Sequence, residues 1–245
     1  MSSNYLLCGT PRTGTTLLCQ YLTSTEVAGR PQSYFRKQGM MSYAEGWRIL
    51  SADKTYSFSD YLIAARGAAS TENGTIGIRV MWGTLEEMTA ELGKPYPNFV
   101  SNDLALLEQA FGKLKFIYLH RSDIIAQAIS LYRAEQTGYW HTVEGQKPKQ
   151  PPTFDFDAIN SRREMLEQHN LAWQNWFQNV GVQPLAISYE ALSADPVSST
   201  KNVLEFLELE LPHYKQLAAV NQKLADETTV AWLEEFNKHL RNQST

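Results

Sequence analysis

Short apolar runs alternate along this chain with longer stretches in which apolar residues recur every three or four positions. That is the pattern of a mostly parallel sheet and its crossover helices. Four runs read as strands, at residues 5–9, 76–81, 115–120 and 184–188. The first and third lack a polar face and are expected to be the most deeply buried. Helical periodicity marks residues 15–24, 59–69, 84–92, 103–111, 123–137, 157–179, 196–207 and 230–240. Ser/Thr-x-x-Glu spacing predicts a capping box at Thr84 with Glu87, and a second at Ser161 with Glu164 that also reads as helix interior. Residues 27–57 are the least regular and follow the first helix, a natural place for substrate-contacting loops. QKPKQPP (146–152) carries three prolines and reads as an exposed connection. The resulting expectation is an α/β, P-loop-like three-layer fold with a mostly parallel central sheet flanked by helices.

Size and composition narrow the class. With 245 residues and 27.8 kDa, the chain suits one α/β domain over residues 1–245. Hydrophobic residues at 43% and charged residues at 20% indicate neither disorder nor a membrane protein. Lys and Arg total 22 against 26 Asp and Glu, a formal charge of −4, which argues against a broad nucleic-acid surface and leaves room for one local anion site. The apolar run at Tyr5 to Cys8 is too short for a signal peptide or a membrane span, so a cytoplasmic address is expected. Cys8 and Cys19, the only cysteines, have no metal-ligand spacing and read as core thiols.

The chemistry begins at Gly9-Thr10-Pro11-Arg12-Thr13-Gly14-Thr15-Thr16, between the first strand and the first helix. A loop there points successive backbone amides and the positive helix end at an anion. Nucleotide-triphosphate loops place a lysine after the second glycine to reach the β and γ phosphates. Here that place holds Thr15, which disfavours a magnesium triphosphate, while Arg12 puts a fixed charge inside the loop. Further on, Arg121 falls just past the carboxyl end of the third strand, where open α/β sheets bind ligands, and Ser130 lies in the following helix. Arg121 is either a ligand for a second phosphate or half of a structural ion pair.

Taken together, these segments resemble the bacterial Stf-zero sulfotransferases, the family of the trehalose 2-sulfotransferases, across most of the chain. PRTGTT (11–16) is similar to the loop that holds the 5′-phosphosulfate, and HRSDIIAQAISLYRAEQT (120–137) to the family's 3′-phosphate segment. VAGRPQSYF (27–35), IRVMW (78–82) and SYEAL (188–192) resemble further family blocks in the expected order. The resemblance implies 3′-phosphoadenosine 5′-phosphosulfate (PAPS) as donor, 3′,5′-bisphosphoadenosine as product and no metal. It also implies Pro11, Arg12, Thr13, Gly14, Thr15 and Thr16 around the 5′ end, Arg121 and Ser130 on the 3′-phosphate, and a homodimer. The donor has no γ-phosphate, which accounts for the absent lysine. Arg12 would stabilise charge on the bridging oxygen as an acceptor hydroxyl attacks sulfur.

The family pattern breaks on the acceptor side. The acid expected after the Pro-Gln pair is Ser33, and Arg30 also stands where the resemblance suggests an acid. Serine is no general base near neutral pH. Glu45 and His141 are the candidate bases, each also readable as an ordinary surface or structural residue. Gln32, Ser33, Tyr34 and Trp82 are expected to line the acceptor side. Tyr34, Phe35, Trp47, Trp82, Tyr139 and Trp140 are either stacking surfaces for a carbohydrate or glycolipid-like acceptor, or core. Lys223 is either a phosphate contact or a solvated lysine. Two rival readings are a P-loop nucleotide phosphotransferase and a non-catalytic protein that binds 3′,5′-bisphosphoadenosine.

Overall fold

A computed structural model describes residues 3–140, 151–217 and 227–243. His141, Lys223 and positions 146–150 of the proline segment lie outside the described residues. The elements run β1 (Asn4–Gly9), α1 (Thr15–Ser24), α2 (Lys37–Gly46), α3 (Phe58–Ala69), β2 (Gly77–Met81), α4 (Trp82–Gly93), a 3₁₀ turn (Pro97–Phe99) and α5 (Asp103–Phe111). They continue through β3 (Leu114–His120), α6 (Ile124–Thr137), α7 (Phe156–Asn179), β4 (Leu185–Ser188), α8 (Tyr189–Ala194), α9 (Pro196–Phe206) and α10 (Glu227–Gln243).

All four strands are parallel, in the order β2-β1-β3-β4. Strand alternation sends side chains to two separate cores, as a sheet covered on both faces requires. Leu6 and Cys8 of β1, Ile78 and Val80 of β2, and Phe116 and Tyr118 of β3 pack beneath α2, α3, α4, α5 and α7. Tyr5, Leu7, Ile117, Leu119 and Ile187 pack beneath α1, α8 and α9. A third cluster ties α6 to α7 and α10 through Ile129, Leu131, Leu166, Trp232 and Phe236. The expected three layers are therefore present. Chain order reverses about β1, because β2 and β3 lie on its two sides. The carboxyl end of β1 is therefore the crevice where such sheets hold ligands.

Two local expectations need correction, and at Ser161 the helix-interior alternative holds. The irregular segment after α1 contains α2, whose inner face rests on Met40 and Ala44 at i,i+4 spacing. Two glycines and a polar outer face weaken its periodicity in the sequence. Thr84 does not cap a helix: α4 begins at Trp82, and Thr84 is a buried residue within its first turn. Ser161 is likewise interior to α7, whose cap is Asp155, accepting from the Ala158 amide at 2.9 Å.

Trp173 of α7 joins the helical layer to the active end of the sheet. It is fully buried, stacks on Phe177, meets Trp82 and Trp176 edge-on, and donates from Nε1 to the Gly9 carbonyl at 2.9 Å. Trp173→Ala is predicted to destabilise the fold by about 3–5 kcal/mol. Urea unfolding measures this, and a midpoint equal to that of wild type would contradict the role.

Candidate functional site

The loop after β1 has its carbonyls turned into the protein. Gly9 O accepts from Trp173, Thr10 O from the Thr13 hydroxyl at 2.8 Å, and Pro11 O from Gln127 Nε2 at 2.6 Å. Gln127, fully buried on α6, also donates to Thr10 Oγ1 at 2.9 Å. That hydroxyl in turn donates to Asn170 Oδ1 of α7, which also accepts from Tyr118. The peptide planes are thus fixed from behind. The first amides of a helix have no intrahelical partner. At α1 the cap is Gly14, which supplies no side-chain acceptor, whereas α3, α5, α6, α7, α8 and α9 are capped by Ser, Asn or Asp side chains. The N-terminus of α1 is consequently an open donor set suited to an anion.

Both glycines are dictated by geometry. A Cβ on Gly9 would lie 2.9 Å from the Leu119 carbonyl oxygen. Gly14 has φ +83°, and its Cβ would lie 2.9 Å from the Tyr189 ring. Arg12 also holds a left-handed φ of 68°, a conformation that L side chains adopt at some cost.

Arg12 reaches from this loop to α6. Its Nε donates to Ser130 Oγ at 2.9 Å, and its Nη1 to the Trp140 carbonyl at 2.5 Å. The two phosphate grips that the sequence sets apart are therefore linked by a direct hydrogen bond. Burial, followed by the neighbouring Arg121 guanidinium, pulls the Arg12 pKa below its usual value; Tyr189 opposes this and Arg133 adds to it. Burial also lowers Arg121, with Tyr189, Asp123 and Glu190 opposing. Cations crowded in this way favour an anion among them. Arg121 lies over the Tyr189 ring at 4.4 Å, and its Nε is buried without a hydrogen-bond partner. Glu190 steadies the adjoining turn by accepting from the Ser122 and Asp123 amides at 3.2 and 3.3 Å. A cleft of about 690 Å³ opens beside Arg121 between α7 and β4.

On the other side of α1, Arg79 of β2 was not singled out from the sequence. Its Nε donates to Ser33 Oγ and its Nη1 to Thr16 Oγ1, both at 2.9 Å, while its backbone amide holds the Gln32 carbonyl at 3.1 Å. One arginine therefore ties the segment after α1 to the anion loop. The available signal was a charge inside the apolar run Gly77–Met81.

The aromatic candidates separate by placement. Tyr34 and Phe35 are core, and the Tyr34 hydroxyl donates toward the Arg30 and Ala68 carbonyls. This placement corrects the expectation of Tyr34 as a lining residue, because its polar end is already engaged within the protein. Trp47 and Trp82 are half-buried against the same core, whereas Trp140 is 42% exposed beside Arg12. Gln32 is exposed and Ser33 half-buried. Glu45 is exposed near the end of α2. Sequence reading also missed Gln127 and Trp173, which hold the loop from within the core, and Asn170, which holds it from the wall of the cleft beside Arg121. A glutamine in the apolar face of 124–131 was the only hint.

Comparison with known proteins adds an independent line. The family model described as Stf0 sulphotransferase matches residues 4–239. Trehalose 2-sulfotransferase of Mycobacterium tuberculosis is 28% identical over 225 residues, covering 82% of each chain. Trehalose 2-sulfotransferase of Mycolicibacterium smegmatis is 25% identical over 256 residues, covering 96% of this chain and 94% of the relative. Among solved structures, the sulfotransferase domain of the Synechococcus PCC 7002 olefin synthase shares the fold with a TM-score of 0.52 at 15% identity, covering 96% and 95% of the two chains. Among the described residues no helix is long and apolar enough to cross a membrane.

The geometry at Gly14 generates a direct check. Gly14→Ala forces a methyl group against Tyr189 at a positive φ and is predicted to cost about 1–3 kcal/mol. Urea unfolding should register the loss, and an unchanged midpoint would contradict the stated backbone constraint.

Proposed function

The chain belongs to the Stf0 sulphotransferase family, and from that membership we propose that it moves a sulfonate group from PAPS to a hydroxyl of a carbohydrate. It is a sulfotransferase; the donor's identity and the acceptor's class are the proposed parts. The observation that carries the donor assignment is the loop of residues 9–16. Its carbonyls are tied back, α1 is left uncapped, Arg12 stands inside and no lysine follows Gly14. That set suits a phosphosulfate, which has one phosphate to cradle and a bridging oxygen to neutralise. Two trehalose 2-sulfotransferases among the relatives support a carbohydrate acceptor.

In the proposed reaction the acceptor oxygen attacks sulfur in line, and the bond between sulfur and the bridging oxygen breaks. The electron pair stays on the 5′-phosphate and the acceptor's proton passes to a base. The amides of residues 12–16 hold the phosphate, and Arg12 meets the charge that builds on the bridging oxygen. Arg121 and Ser130 hold the 3′-phosphate and thereby fix the register of the donor. Ser33 accepts a hydrogen bond from Arg79, so its free hydroxyl proton makes it a donor and not the base. Glu45 and His141 are the proposed base candidates, and loss of the acidic limb of the pH–rate profile in Glu45→Gln would select between them.

The decisive assay follows labelled sulfonate from PAPS into a carbohydrate acceptor. Arg12→Ala is predicted to lower kcat by about 10²–10³-fold, as expected for removal of one preorganised donor to developing charge. Arg121→Ala is predicted to weaken 3′,5′-bisphosphoadenosine binding at least about tenfold, the equivalent of about 1.4 kcal/mol. Unchanged kcat in the first variant or unchanged affinity in the second would overturn the corresponding assignment.

A further inference from the structure

The guanidinium of Arg79 is half-buried, yet the groups set against it carry no charge at neutral pH. Ser33 and Thr16 are hydroxyls that accept from it at 2.9 Å. The Cys19 thiol, also within hydrogen-bonding reach, is pushed by burial up to about 12, although Arg79 pulls it the other way. Tyr43 nearby is raised by burial against the same pull, so it too stays neutral. Among the described residues no carboxylate forms an ion pair with Arg79. Arginine is always charged, and a partly desolvated guanidinium without an anion carries a penalty that a bound anion would remove.

The surroundings reinforce this imbalance. Residues 27–57 hold five Lys and Arg against two Asp and Glu, in a chain whose overall charge is −4. Positive charge is thus gathered on the segment that Arg79 ties down through Ser33 and Gln32. Both hydroxyls accept a hydrogen bond from Arg79, so each has its own O–H free to donate elsewhere. Thr16 stands in the first turn of α1, within the anion loop. Ser33 is half-buried beside the exposed Gln32, in the segment after α1 that is expected to line the acceptor side. Arg79 and Ser33 together offer a charged guanidinium and a hydroxyl donor, and a carboxylate or phosphate can accept from both.

We propose that Arg79, with Ser33, determines acceptor specificity, and that the carbohydrate sulfonated by this enzyme carries an anionic group, a carboxylate or a phosphate, that pairs with Arg79. This rests on the carbohydrate-acceptor reading above. It differs from that reading in naming a charged sugar, because a neutral one such as trehalose offers the guanidinium only hydroxyl acceptors and no opposite charge.

The test compares three acceptor probes, methyl glucoside, methyl glucuronide and methyl glucoside 6-phosphate, by calorimetry on enzyme saturated with 3′,5′-bisphosphoadenosine. At least one anionic probe is expected to bind about tenfold or more tightly than the neutral one, and which one identifies the anion. Ser33→Glu places a carboxylate within reach of Arg79 and is expected to abolish that preference while leaving 3′,5′-bisphosphoadenosine affinity within about twofold, which also reports on folding. Equal binding of neutral and anionic probes, or a preference that survives Ser33→Glu, overturns the proposal. Anion binding that responds to Ser33→Glu, without sulfonate transfer to any sugar, would uphold the Arg79 site and count against the carbohydrate reading instead.

Discussion

The site depends on one constraint, that the carbonyls of the β1–α1 loop face the interior. Trp173, Thr13 and Gln127 hold the oxygens of Gly9, Thr10 and Pro11. A peptide unit whose oxygen is fixed has its N–H fixed in the opposite direction. The Thr10 and Arg12 amides therefore have their directions set before any ligand arrives, the Thr10–Pro11 unit having no N–H, and pre-arranged dipoles need no reorganisation as charge develops. Two of the groups that impose this order, Gln127 and Trp173, come from α6 and α7, far away in sequence. Cradle and helical layer are thus one mechanical unit.

Charge is distributed to the same end. The chain as a whole is acidic, but burial lowers the proton affinity of both Arg12 and Arg121, Arg121 lowers that of Arg12 further, and Arg79 sits among neutral groups. An anion between Arg12 and Arg121 relieves a repulsion and a desolvation penalty already present there, and one beside Arg79 would supply the opposite charge that its hydroxyl partners lack. The Tyr189–Glu190 pair couples these parts: the Tyr189 ring supports Arg121 and limits Gly14, and Glu190 fixes the turn that follows Arg121.

Much of this was legible in the sequence, for identifiable reasons. β1 and β3 send alternate residues to two covered cores, β2 gives Ile78 and Val80 to one and β4 gives Leu185 and Ile187 to the other, so each survives as an apolar run. α1, α5 and α7 have strong periodicity and were legible to within a residue or so. α2 was not, because two inward residues and two glycines leave little signal. The loop was legible because Gly9 and Gly14 answer local steric demands. Gln127, Asn170 and Arg79 were not, since each acts across the fold on a segment that sequence spacing does not bring near. Aromatic residues were the least informative: Tyr34 and Trp82 look alike in the sequence, but one is core and the other lies at its edge.

The central claim concerns where a doubly phosphorylated adenosine would sit. A crystal structure of the chain soaked with 3′,5′-bisphosphoadenosine tests it most directly. The account predicts the 5′-phosphate within hydrogen-bonding distance of the amides of residues 12–16, with the 3′-phosphate on Arg121 and Ser130. A nucleotide bound elsewhere, or in this crevice with its phosphates away from those amides, would contradict it.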